Sequence, residues 1–128
     1  MLLADTQENF IHMNLDYSIQ KGKKLPIIEK SRTRLIDIEA ITHLQCDGYV
    51  TTIHLIDNES INVSKLLKLF EIELAEFGFL RANHNTIVNP FHIREILSSS
   101  GKKMVRINNS LIIVSRRRAY LFKDLKKN

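Results

Sequence analysis

Two short stretches of this 128-residue chain carry side chains suited to recognising a partner by hydrogen bonds and charge. The first is the triplet Asn83-His84-Asn85 in RANHNTIVN. An asparagine amide can span N6 and N7 of adenine, and a neutral imidazole offers one donor and one acceptor. The second is Ser115-Arg116-Arg117-Arg118. A serine followed by arginines at a helix start presents a hydroxyl, backbone N–H groups and guanidinium forks to phosphate oxygens. An arginine can also grip guanine O6 and N7 bidentately. Asn108 and Asn109 offer further amides. Each set also has a local use. Asparagines satisfy turn backbone, and three successive arginines point different ways around a helix, so at least one is expected to be structural, pairing with an acidic helix upstream.

Catalytic chemistry has little to stand on. Four glycines are scattered singly, with no GxxxxGK[ST] or GxGxxG phosphate loop. Neither a G-x-S-x-G elbow nor an H-E-x-x-H helix occurs. His43 and Cys46 are three apart in a strand-like run, where successive side chains alternate faces, so they make a poor zinc pair. Cys46 reads as a small buried hydrophobe and His54 as a packed or edge strand histidine. The carboxylates between Asp37 and Glu76 are accounted for by helix and turn positions. No enzyme, metal or cofactor is expected.

The elements that must position these groups read mostly as strands. Residues 1–26 are expected to form a tail or short helix, and 27–128 the folded domain. ITHLQC, Asp47-Gly48 and YVTTIHLI form a hairpin signal, since Asp-Gly suits a type I′ turn. Asp57-Asn58-Glu59 turns the chain into SINV. Ser64 is placed to cap a helix whose apolar stripe is Leu67, Phe70, Leu74 and Phe77, stopped by Gly78. FLRA then precedes the polar triplet, and Pro90 stops the strand that follows it. SSGKK joins REILS to MVRI, Asn108-Asn109 joins MVRI to SLIIVS, and SRRRAYLFKDLKK predicts a short basic terminal helix. The fold class is mainly β with two helices.

Charge adds direction. Residues 35–80 hold eight acidic side chains against two basic, and residues 81–128 hold eleven basic against two acidic. An acidic middle joined to a basic last third suits one face turned toward a polyanion. No apolar run approaches the ~20 residues that span a bilayer, and the first residues lack the regions of a signal peptide. A single cysteine fits a reducing compartment. A soluble, cytoplasmic protein is expected, with no membrane partner.

The order of these motifs resembles the LytTR family of bacterial DNA-binding domains. IDIEAITHLQCDGYVTTIHLIDNES is similar to the family's opening strands, and SKLLKLFEIELAEFGFLRANHNTIVNPFHIREI to its helix-then-loop signature. MVRINNSLIIVSRRR resembles its closing strands and serine-arginine entry to the last helix. The resemblance covers about a hundred residues. It implies an elongated β-sheet or β-sandwich domain in a transcriptional regulator, contacting successive major grooves of double-stranded DNA through loops. The implied contacts are Asn83–Asn85, Asn108-Asn109, and Arg116 or its neighbours. The family commonly has His, a basic residue and Ser where this chain has Asn83, His84 and Asn85. With that charge lost, affinity shifts toward Arg116–Arg118 and Lys102-Lys103. Twenty-six residues before the first strand leave no room for the receiver domain many members carry, so a stand-alone regulator is expected. Its other partners would be a second copy on tandem sites or another regulatory protein. The alternative is a protein-interaction module that modulates another regulator without binding DNA itself.

Overall fold

A computed structural model describes residues 16–125. What the sequence leads one to expect of residues 1–15 and 126–128 lies outside them. The described chain starts in a 3-10 turn, Tyr17–Ile19, capped by the Asp16 carboxylate, which accepts from the Ser18 N–H at 3.0 Å and the Ser18 hydroxyl at 2.6 Å. Strands β1 (Lys24–Ile28) and β2 (Thr33–Asp37) then pair as an antiparallel hairpin. The boundary expected between 26 and 27 falls inside β1, and residues before it are packed: Gln20 is fully buried and Leu25 nearly so. A glutamine can be buried when its amide is satisfied. Gln20 donates to the Phe77 carbonyl at 2.8 Å and exchanges hydrogen bonds with the buried Asn89 amide at 3.0 and 3.1 Å.

The central sheet takes β3 (Ile41–Asp47), β4 (Val50–Leu55) and β5 (Ser60–Val63) before the helix, and β6 (Leu80–Asn83) and β7 (Thr86–Val88) after it, in the order β5-β4-β3-β7-β6. Asp47 pairs with Val50, so the two-residue loop is Gly48-Tyr49, one step later than the Asp-Gly reading. Only Gly48 takes a positive φ, 63°, which is the type II′ pattern; type I′ needs it at both central residues. Between the strands, α1 (Leu67–Leu74) buries Leu67, Phe70 and Leu74, the stripe its spacing predicts. It starts later than Ser64 suggests. Leu66 holds the N-cap position without a side-chain hydrogen bond, and the Thr51 hydroxyl donates to the Lys65 carbonyl at 2.6 Å, tying this turn to β4. Phe77 lies in a 3-10 turn beyond the helix, closed by Gly78 at φ 86°.

A second sheet, ordered β10-β9-β8, contains β8 (Ile93–Ser99), β9 (Lys102–Ile107) and β10 (Ser110–Val114). Its turns fall at Ser100-Gly101 and Asn108-Asn109, where Asn108 adopts φ 53°. The terminal basic segment is a 3-10 run, Arg116–Leu125, rather than an α-helix. Three residues per turn align Ala119, Phe122 and Leu125 on one line, and Phe122 and Leu125 are buried.

Two apolar cores result. One gathers Ile38, Leu44, Ile53, Phe70, Leu74 and Ile87; the other gathers Ala82, Val88, Val105, Ile107, Ile112 and Phe122. Alternation along β7 divides it between them, with Ile87 in the first core and Val88 in the second. The described domain is mainly β with two longer helical elements, α1 and the terminal 3-10 run, besides short 3-10 turns, as its sequence pattern implies.

Candidate nucleic-acid interface

The polar triplet occupies the β6–β7 turn. Asn83 pairs with Thr86, leaving His84 and Asn85 as the two loop residues, both exposed. Asn83 itself is spent on structure. Its Nδ2 donates to the Ile113 carbonyl at 2.6 Å, and its Oδ1 accepts the Asn85 N–H at 3.0 Å. The Asn85 carbonyl accepts from the Cys46 N–H at 3.0 Å, anchoring the turn to β3. Thus the local use of asparagine applies to Asn83, while His84 and Asn85 remain presented to solvent.

Arg81 holds the turn from beneath. Its side chain is 13% exposed; Nε donates to the Asn83 carbonyl at 2.9 Å, Nη2 to the His84 carbonyl, and Nη1 to Glu71 of α1 at 2.6 Å. One guanidinium fork therefore reads two successive turn carbonyls and one carboxylate, a geometry lysine cannot copy.

The serine-arginine segment meets the end of β6, just before this turn. The Ser115 N–H donates to the Ala82 carbonyl at 2.8 Å, and the Arg118 N–H to the Ser115 carbonyl at 3.0 Å. Arg116 and Arg117 are exposed and Arg118 half-buried, as unequal directions around a helix require. The six ion pairs among the described residues include none of the three. The acidic helix is instead engaged by Arg81 at Glu71 and by Lys65 at Glu73, 2.7 Å apart. The local alternative, in which one or two of the three arginines pair with the acidic helix, therefore finds no ion pair among the described residues, because Arg81 and Lys65 flank the helix and take its carboxylates.

Lys103 lies opposite Val114 in the β9–β10 ladder, which carries the end of the β8–β9 hairpin to the start of the 3-10 run. Lys102, Lys103, Ser115 and Arg116 consequently line one cavity of about 430 Å³, with Ser98 and Ala119 also on its wall. The Ser115 hydroxyl is buried there without a hydrogen-bond partner. Of the sequence-derived candidates, His84, Asn85, Lys102, Lys103 and Ser115–Arg117 are brought to one end of the molecule. Asn108 and Asn109 are not. They sit at the opposite end of β9, five residues from Lys103, roughly 17 Å away at strand rise.

Three contributors escaped the sequence reading. Arg81 looked like any strand arginine, and Gln20 like part of a polar tail. Tyr49, 79% exposed at the β3–β4 tip, shares its end of the sheet with Asn85; an aromatic in a two-residue loop was the available signal.

The histidines of β3 and β4 serve the sheet. His43 and His54 are cross-strand partners whose rings stack at 4.2 Å and 7°. Parallel stacked rings cannot aim nitrogens at a shared ion, and no group of three His, Cys, Asp or Glu suited to a metal occurs among the described residues. Burial, and secondarily the neighbouring His54, push the His43 pKa down to about 4, so it is neutral at pH 7. Burial lowers His54 as well. Among the described residues no helix is long and apolar enough to cross a membrane.

Comparison with known proteins places this architecture. No curated protein sequence matches the chain. A solved structure, the LytTr DNA-binding domain of a response regulator from Bacillus cereus, superposes with a TM-score of 0.66, covering 80% of this chain and 95% of that one. Identity between them is 19%, so the likeness is one of fold. The family model described as the LytTr DNA-binding domain matches residues 31–127, well over half of the sequence. The chain belongs to the LytTR family of DNA-binding domains.

Proposed function

We propose that the chain is a sequence-specific, duplex-DNA-binding transcriptional regulator that reads bases with the His84-Asn85 turn and holds phosphates with the cavity beside it. The carrying observation is the convergence of Lys102, Lys103, Ser115 and Arg116 on one cavity next to a turn braced from below. Side chains that read base edges must be held in register by phosphate contacts, and the two kinds of group lie side by side here. Asn83 supports the reading turn and does not touch DNA. Arg116 and Arg117 face outward from the 3-10 run and reach phosphate or guanine.

Asn108 and Asn109 act as a separate contact. Duplex grooves of one kind recur every ~34 Å, so a turn roughly 17 Å from the main cluster meets the intervening minor groove or its backbone. That differs from contacts confined to successive major grooves.

A binding selection on random duplexes tests the proposal. An enriched motif is expected, and neutralising ~6 phosphates gives log K a slope near −5 against log salt. Arg116→Ala then costs about 1–3 kcal/mol on the selected site. Equal losses on selected and random duplex would make Arg116 a phosphate contact only. No enrichment, even at low salt, would overturn DNA reading and favour a protein-interaction module.

A further inference from the structure

The domain leaves an apolar surface away from the basic cavity. On the outer face of the β1–β2 hairpin, Ile28 is 81% exposed and Leu35, partner of Pro26, is also exposed. Leu69 and Ile72 of α1, with Leu66 at its N-cap, are exposed away from the buried stripe, spaced i, i+3 and i+6. The two faces join, because Pro26, Ile28, Val63 and Leu69 line one groove of about 250 Å³. An isolated exposed leucine is ordinary, but five large aliphatic side chains on adjoining elements are not.

We infer that this surface docks a second copy of the chain. Area and charge both point there. The five exposed side chains offer roughly 500 Å², near the upper end of what a monomer leaves open. Two such patches apposed bury about 1,000 Å², the lower bound of a specific, weak interface. The rim carries ion pairs of its own, Lys24–Asp37, Glu29–Arg32, Arg34–Glu59 and Lys65–Glu73. Outside these pairs the patch elements carry exposed Lys30, Lys68 and Glu76, so the net charge of the patch stays near zero and it offers little field to a polyanion or to a strongly charged protein. A surface of the same mixed composition meets it without net repulsion, as a two-fold contact requires. The contact lies on the α1 side of the central sheet, opposite the core that carries the basic 3-10 run, so a pair of copies keeps both cavities open.

Sedimentation of the full chain without DNA, from about 10 µM to 1 mM, tests the inference. A concentration-dependent monomer–dimer equilibrium is expected. Ile28→Glu and Ile72→Glu should each raise its dissociation constant at least about tenfold, since each places a charge where an aliphatic group was buried. Both positions are exposed, so thermal melting should stay within about 2 °C of the parent, separating lost docking from lost folding. Amide chemical shifts at residues 27–28 and 66–72 should move with protein concentration in the parent only. A chain monomeric at 1 mM overturns the inference. So do concentration-independent contacts from residues 1–15 to the patch, which would assign it to the chain's own first residues. The measurement contains no DNA, so it stands or falls apart from the DNA-reading proposal.

Discussion

Arg81→Met removes the brace beneath the reading turn while keeping an unbranched, apolar stem of similar reach. The guanidinium has three acceptors, Glu71, the Asn83 carbonyl and the His84 carbonyl, and its side chain is 13% exposed. Glu71 is 41% exposed, so solvent screens that pair to about 1 kcal/mol or less. Each charge-assisted bond to a turn carbonyl contributes about 1 kcal/mol net, because those carbonyls regain water when the arginine leaves. The loss is therefore about 2–3 kcal/mol. For a domain of this size that lowers Tm by roughly 10 °C. Below the melting range, His84 and Asn85 lose a fixed position while Lys102, Lys103 and Arg116 keep theirs. Fluorescence anisotropy should show about tenfold weaker binding to a selected duplex and little change on random duplex. Arg81→Lys should recover less than half of either loss, since an ammonium cannot fork across two carbonyls and a carboxylate. A Tm drop below 2 °C, or equal weakening on both duplexes, would refute the assignment of Arg81 as the turn's brace.

Two further predictions concern groups outside the turn. His43 binds its proton in the unfolded chain near pH 6.5 but in the folded one only near 4. The unfolded state thus holds more protons between those values, and stability, full above about pH 6.5, falls by on the order of 3 kcal/mol as pH drops to 4. Urea midpoints measured from pH 8 to pH 4 should trace that decline, and a His43→Leu chain that declines equally would show that other groups carry it. Gln20→Leu leaves the Phe77 carbonyl without its side-chain donor and takes one partner from each end of the Asn89 amide, which keeps the Ile41 carbonyl and the Phe91 N–H. A destabilisation of about 2–4 kcal/mol by denaturant unfolding is expected, and a change under 0.5 kcal/mol would mean residues 16–26 are dispensable to the domain.

Legibility in the sequence divided along physical lines. Period-two alternation and turn residues identified every strand from β3 to β10, because side-chain burial on one sheet face is a local property of spacing. The stripe Leu67, Phe70 and Leu74 likewise announced α1. Gln20 was invisible because burying an amide depends on Asn89, 69 residues away in the chain. Arg81 was missed for the same reason, since its role exists only once Glu71 and the turn carbonyls surround it. The sequence presented Asn83, His84 and Asn85 as three equivalent candidates. Tertiary contact separated them by tying the Asn83 side chain to the Ile113 carbonyl, while Asn85 is anchored through its backbone carbonyl and its side chain and that of His84 stay outside any long-range bond among the described residues.

Strand β7 is three residues long, yet it belongs to both apolar cores, Ile87 to one and Val88 to the other. Neither half of the molecule can melt without pulling on that strand, so the two cores should unfold as one transition. Hydrogen exchange at Ile87 and Val88 should then be limited by global unfolding, although the exposed turn ends only two residues before Ile87. On the function proposed above, the base-reading turn hangs from a strand held by both cores. Substitutions that loosen either core would reach the DNA contact as a loss of timing and order in the turn, long before the fold itself is lost.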